Sequence, residues 1–270
     1  MIKSLLTAAT LALFPCLPTP ATAQVPDGIV TLNVLPGWRT EHGTHMVGLR
    51  ITLADGWKTY WRAPGEGGIP PRFNWDGSEN VTSMRIHWPR PGVFEANGIR
   101  SIGYADEVVL PMEFTPNDRN QPIQLRGQVE LGVCETVCVP ISLRLRADLP
   151  AGAANRNADI LDAMADAPAS QGSAGVRSVQ CKVEPIADGL RLTAQITMPP
   201  VDGTEVAVVE LPDQRIWVSE AASTRSGETL TASVDMVPPN AQPFLLDRSD
   251  VRITVLGATR AVNIEGCTGS

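Results

Sequence analysis

From Ile123 through Val133, and again from Ile141 through Ala147, apolar side chains fall on odd positions and polar ones on even positions. Ile123, Leu125, Val129, Leu131 and Val133 alternate with Gln124, Arg126, Gln128 and Glu130. Ile141, Leu143, Leu145 and Ala147 alternate with Ser142, Arg144, Arg146 and Asp148. A period of two puts successive side chains on opposite faces of an extended chain, so each run reads as a strand burying its odd face. Between the runs stand Cys134 and Cys138. Residues four apart on one straight strand are separated by about 13 Å, beyond the reach of a disulfide. A bond between them requires a reversal at Glu135-Thr136-Val137, a three-residue hairpin loop that sets Cys134 opposite Cys138. Both cysteines share the parity of the polar face, which predicts sulfurs pointing away from the core and a bond open to solvent.

The same strand grammar recurs along the chain. Met46–Leu53, Met84–His87 and Val108–Phe114 read as strands before the cysteine pair. Leu190–Thr197, Glu205–Leu211, Leu230–Met236 and Val251–Leu256 follow it. Short alternating runs punctuated by 23 Pro and 23 Gly predict an all-β chain. The expected architecture is two immunoglobulin-like β-sandwiches in tandem, over residues 24–149 and 176–270. Between them, residues 150–175 shift to Ala, Asn, Gly, Ser and Asp and read as a linker. Within it Ala158–Ala167 predicts a short helix stopped by Pro168, with Ile160, Leu161 and Met164 near helical spacing. Five of the six Trp and both Tyr lie in the first segment, which points to that segment as the one bearing the functional surface.

The N-terminus reads as an export signal. Lys3 supplies the charged start, Leu5–Phe14 a short apolar stretch and Ala21-Thr22-Ala23 a cleavage site before Gln24. Residues 1–23 are therefore expected to be removed and the remainder to be exported. Cys16 offers a lipoprotein alternative, which the preceding Phe14-Pro15 fits poorly. A net charge of −7 and a pI near 5.0 leave no basic patch for nucleic acid or anionic membranes.

Removing the signal leaves Cys134, Cys138, Cys181 and Cys267, an even number that in an exported chain reads as two disulfides. Proximity and the domain boundary favour Cys134–Cys138 and Cys181–Cys267 among the possible pairings. Chain entropy assigns about 2 kcal/mol to so short a loop as the first and about 4.6 kcal/mol to the second. The long loop is a structural staple. The short one contributes little as a staple, and on an exposed turn it is a candidate for thiol–disulfide exchange. Two thiolates with three residues between them could also hold copper(I) or zinc. No further Cys or His cluster accompanies them, and His42, His45 and His87 read as surface or loop residues.

Four blocks carry a family resemblance: Gly56-Trp-Lys-Thr-Tyr-Trp-Arg-Ala-Pro-Gly-Glu-Gly-Gly-Ile-Pro70, His87-Trp-Pro-Arg-Pro91, Gly103-Tyr-Ala-Asp-Glu-Val-Val-Leu-Pro111 and Val133-Cys-Glu-Thr-Val-Cys-Val-Pro140. In order, over about residues 37–149, they resemble the periplasmic N-terminal domain of DsbD-type thiol:disulfide interchange proteins. The suppressor-of-copper-sensitivity branch is the variant they resemble most. That resemblance implies an immunoglobulin-like fold and a catalytic pair, Cys134 and Cys138, with no cofactor. Electrons would come from a thioredoxin-like or membrane-embedded donor and pass to oxidised periplasmic proteins. Cys138 would form the mixed disulfides and Cys134 resolve them. It also implies a shielding loop, within Tyr60–Ile69 or Phe94–Tyr104, although Trp57, Tyr60, Trp61 and Trp88 read equally well as core. The membrane helices and the thioredoxin-like domain of complete DsbD-type proteins are not in this sequence, so the donor is expected to act in trans.

Glu135 stands between the cysteines, and a neighbouring carboxylate disfavours the thiolate. With no Lys, Arg or His in the motif, thiols that exchange slowly with small oxidants and depend on docked partners are expected. Two alternatives stay open at this point: a non-catalytic β-sandwich module with structural disulfides, and a copper(I)-binding or copper-tolerance protein. The sequence leaves the role of the second domain open.

Overall fold

A computed structural model describes residues 28–96, 98–152 and 155–269. The expected signal peptide, residues 1–23 with Cys16, lies outside the described residues. The described residues are all-β apart from one short α-helix and a 3-10 turn at Arg248–Asp250, and form two immunoglobulin-like sandwiches in tandem.

The first contains β1 (Val30–Arg39), β2 (His45–Leu53), β3 (Lys58–Tyr60), β4 (Arg72–Asn74), β5 (Ser83–Ile86), β6 (Gly92–Ala96), β7 (Ile99–Ala105), β8 (Glu107–Thr115), β9 (Ile123–Cys134) and β10 (Cys138–Leu149). One sheet runs β1-β2-β8-β5; the other runs β10-β9-β3-β7-β6, with β4 also paired to β9. Their inner faces meet over Leu49, Ile51, Trp61, Leu110, Phe114, Ile123, Leu125, Val129 and Val133, all buried. In β9 and β10 burial alternates along the strand, whereas β2 and β8 are buried nearly throughout, and the hydrophobic gain from the inner faces holds the two layers together. At Gly37 in β1 the register slips, and a Cβ there would stand 1.8 Å from the Met46 carbonyl oxygen. Only glycine, here at φ +63°, lets the strands approach so closely.

The helix α1 (Ala158–Ala165) starts where Asn157 accepts the Ile160 N–H with its side chain. Ile160 is fully buried among Trp38, Met46 and Val109, beside the bare face of Gly48. Met164 packs on the same patch, whereas Leu161, expected on the buried side, is exposed.

The second sandwich contains β11 (Ala169–Ser170), β12 (Ser178–Ile186), β13 (Gly189–Thr197), β14 (Val206–Glu210), β15 (Trp217–Val218), β16 (Ala222–Ser226), β17 (Thr229–Val237), β18 (Arg252–Leu256), β19 (Ala261–Glu265) and β20 (Thr268–Gly269). Its sheets run β11-β19-β18-β14 and β15-β17-β13-β12-β20, with β16 on β17. Cys181 in β12 is bonded to Cys267, just before β20, and is fully buried. The two sandwiches share apolar contact: Val206, Leu256 and Ala261 of the second are buried in the cluster that forms the first core.

Candidate functional site

β9 and β10 pair in unbroken register from Ile123↔Leu149 to Cys134↔Cys138. The odd positions Ile123, Leu125, Val129, Leu131 and Val133 are buried, as are Ile141, Leu145 and Leu149 across from them. Glu135-Thr136-Val137 closes the hairpin, and Cys134 and Cys138 are bonded with Cα atoms 4.1 Å apart.

The parity argument places the sulfurs on the even, outer face. Solvent access differs from the expectation. Cys138 is exposed, but Cys134 is only 2% exposed. The even face of β9 is open at Arg126, Gln128 and Glu130 and then closes at Gly132 and Cys134. What closes it is the segment after β3. A Cβ on Gly132 would stand 2.5 Å from Cβ of Ile69 and 3.1 Å from the Tyr60 ring, so glycine there admits the covering side chains.

Tyr60 is the centre of this cover. Its hydroxyl lies 2.8 Å from Cys134 Sγ, 3.3 Å from Cys138 Sγ and 3.3 Å from the Gly67 carbonyl oxygen. Disulfide sulfurs carry no hydrogen, so the hydroxyl donates. It has one proton for three acceptors, and the shortest contact is to Cys134. Burial pushes the Tyr60 pKa above its ordinary value, which keeps the donor protonated.

Both candidate shielding stretches take part. Tyr60–Ile69 covers the bond directly. Phe94–Tyr104 braces it from behind: the Trp61 N–H donates to Ile102 O at 3.0 Å, and the Ile102 N–H to Pro64 O at 2.9 Å. Of the four aromatics considered, only Tyr60 touches the sulfurs. Trp61 is fully buried in the core, while Trp57 and Trp88 pack partly against it.

Lys58 was not legible as part of the site. It is the direct partner of Cys134 across the β3–β9 register, and its ammonium sits 5.2 Å from the Phe94 ring centroid. The motif itself holds no Lys, Arg or His, as expected, and Lys58 is a cationic residue that the register places opposite Cys134 from another strand. Alternation within Lys58-Thr59-Tyr60 puts Lys58 and Tyr60 on one face, but nothing local indicates that β9 lies beside it. Glu135 is exposed, with its carboxylate folded toward the Gly56 turn.

Around the pair, Val137 is 68% exposed, Ile69 39% and Ile99 55%, three of the six large apolar side chains exposed among the described residues. Val137 is in the hairpin loop, Ile69 leans on Gly132, and Ile99 abuts Gly67. Through these neighbours they lie along the hairpin loop and the covering segment, an apolar rim beside the exposed Cys138.

One of the three histidines differs from expectation. His42 is exposed, but His45 is fully buried in β2, bonded through Nε2 to the Pro36 carbonyl at 2.7 Å. Burial first of all holds its pKa down, so the ring is neutral. His87 is half-buried and contacts Glu113 Oε2 at 2.9 Å. Among the described residues, no three His, Cys, Asp or Glu side chains are grouped to hold a metal ion, and no helix is long and apolar enough to cross a membrane.

Residues 32–150 match the family described as thiol:disulfide interchange protein DsbD, N-terminal. Among solved structures, the N-terminal periplasmic domain of ScsB from Proteus mirabilis is similar, at 26% sequence identity and a TM-score of 0.67. The likeness covers 94% of this chain and 97% of that one. No curated protein matches the chain at a significant level.

Proposed function

We propose that this chain, whose residues 32–150 form a domain of the DsbD N-terminal family, is a periplasmic thiol–disulfide exchange protein. It relays electrons through Cys134 and Cys138, from a thioredoxin-like or membrane-embedded donor to oxidised periplasmic proteins. The division into a redox unit over residues 24–149 and a second unit over 176–270 belongs to the same proposal.

The observation that carries it is the asymmetry of the pair: Cys138 faces solvent, and Cys134 lies beneath the Tyr60 hydroxyl. A donor thiolate attacks Cys138 Sγ in line with the S–S bond. That bond breaks, and its electron pair leaves on Cys134 as a thiolate. Tyr60 donates its hydrogen bond to the new anion, a charge-assisted contact worth about twice a neutral one. The donor's second thiolate then attacks the donor sulfur of the mixed disulfide and releases the Cys138 thiolate. Two electrons have moved, leaving the donor oxidised and this pair reduced. In the second half the Cys138 thiolate attacks an acceptor disulfide, and Cys134 resolves the mixed disulfide, restoring its own bond to Cys138. The apolar rim of Ile69, Ile99 and Val137 suits a partner that must dock before it reacts.

The test is trapping in cells. Cys134→Ala leaves Cys138 unable to be resolved and should accumulate mixed disulfides on Cys138, whereas Cys138→Ala should accumulate none. Equal trapping by both variants, or none by either where known relays are trapped, would refute the proposal.

A further inference from the structure

The covering segment is tied to the second sandwich. Two residues beyond Tyr60, Arg62 donates from Nε to Glu210 Oε1 at 2.8 Å and from Nη2 to Glu210 Oε2 at 2.9 Å. Its Nη2 also lies 3.4 Å from the hydroxyl of the fully buried Thr254. Glu210 ends β14 and Thr254 lies in β18, so both partners belong to the second sandwich. The two charged side chains retain 17% and 16% exposure. Paired in this forked way, a guanidinium and a carboxylate fix direction as well as distance. Arg62 is further held by stacking, its guanidinium 3.9 Å from the Trp61 ring centroid.

The chain between the pair and the sulfurs has little slack. Trp61 is fully buried and bonded through its N–H to Ile102, which leaves Tyr60 and Arg62 on either side of an immobile residue. On the other flank, Arg100 contacts Glu220 of the second sandwich at 3.5 Å, and its carbonyl lies against Gly65 of the covering segment. Two carboxylates of the second sandwich thus grip the cover at its base and along its side.

We infer that the second sandwich is a working part of the redox site, an inference that rests on reading Cys134 and Cys138 as an exchange pair. Glu210, acting through Arg62, is a positioning residue that holds the Tyr60–Ile69 segment closed over Cys134. Without that pair the segment beyond Tyr60 loosens, and the Tyr60 ring, at the very end of β3, is held less closely over the sulfur.

The experiment uses the chain from Gln24 onward, which lacks Cys16, carrying Cys138→Ser and the second disulfide intact, so that Cys134 is the one free thiol. Its alkylation by iodoacetamide is timed at a pH above the Cys134 thiol pKa of every variant, so that thiolate fraction does not enter, alone and with Glu210→Ala, Glu210→Gln or Arg62→Met. Uncovering should speed alkylation about tenfold, equivalent to about 1.4 kcal/mol of closure lost. The charge-swapped double variant, Arg62→Glu with Glu210→Arg, should return the rate toward that of the parent. Thermal unfolding of each variant separates positioning from simple stability. A pair that only fastens the sandwiches together lowers the midpoint and leaves the alkylation rate of the folded protein unchanged, and that result overturns the inference. Glu210→Gln keeps the shape and one acceptor, and decides the matter where Glu210→Ala loses the fold. No partner protein enters the assay, so its failure leaves the relay untouched, and a failure to trap partners leaves this result standing.

Discussion

Replacing Tyr60 with Phe removes one hydroxyl and keeps the ring, so the cover over Cys134 stays while its hydrogen-bond donor goes. In the oxidised protein the lost contact is a neutral bond to a disulfide sulfur at 2.8 Å, worth about 1 kcal/mol. In the reduced protein the same proton faces the Cys134 thiolate, and the bond is worth about twice as much. The difference, about 1 to 1.5 kcal/mol, corresponds to about one pKa unit at 1.36 kcal/mol per unit. Tyr60→Phe should therefore raise the Cys134 thiol pKa by about one unit, read from thiolate absorbance in the Cys138→Ser background. Losing a stabilising contact in the reduced form also makes the pair harder to reduce. Above the thiol pKa its potential should fall by about 20 to 30 mV, since 30 mV corresponds to about 1.4 kcal/mol for this two-electron couple. Below that pKa, where Cys134 is a neutral thiol in both proteins, the gap should close. Equilibration against glutathione at several pH values reads both effects. An unchanged pKa, or the same shift in potential at every pH, would refute the reasoning.

Val137→Glu puts a charge on the apolar rim without touching the sulfurs. It should slow reduction by a protein donor about tenfold or more, with reduction by dithiothreitol changed much less; equal slowing of both would argue against a docking surface. Removing the Cys181–Cys267 bond by paired Ser substitutions should cost about 4 kcal/mol in urea unfolding, and removing Cys134–Cys138 about 2 kcal/mol or less. The reverse order would show the short bond to be the staple. Glu113 is held below the usual carboxylate range first by the Thr44 hydroxyl at 2.6 Å and then by His87. A carboxylate with a depressed folded pKa stabilises above its unfolded pKa, near 4.3, and loses that stabilisation as pH falls through the folded value. Glu113→Gln should accordingly flatten the acid side of the stability curve below about pH 5 while leaving a constant offset at neutral pH.

The hairpin was legible because two strands report the same parity on either side of one turn, and a slip of one residue would expose every buried side chain in both. The helix at Ala158–Ala165 was legible for a similar reason, through its spacing and the Pro168 stop. Alternation reports which face is buried against the core, however, and says nothing of what covers the other face. The burial of Cys134 comes from Tyr60 and Ile69, more than sixty residues upstream, and its signal in sequence is only the small residue at Gly132. Lys58 enters the site through the β3–β9 register, and Glu210 through the packing of one sandwich on another; neither leaves a local pattern. His45 reads as a loop residue beside His42 and Gly43, yet β2 begins with it. Strand ends are set by partners as much as by local propensity.

The unequal exposure of the two sulfurs has a kinetic corollary. With Cys134 roofed over and Cys138 open, a partner can be covalently bonded at one position only, and the rim beside that position is one surface. In the proposed relay, donor and acceptor then cannot be held together, so each would have to leave before the other arrives. Steady-state rates should then give parallel double-reciprocal lines, and an excess of either partner in its spent form should inhibit the other. The site behaves as a turnstile, passing two electrons per visit.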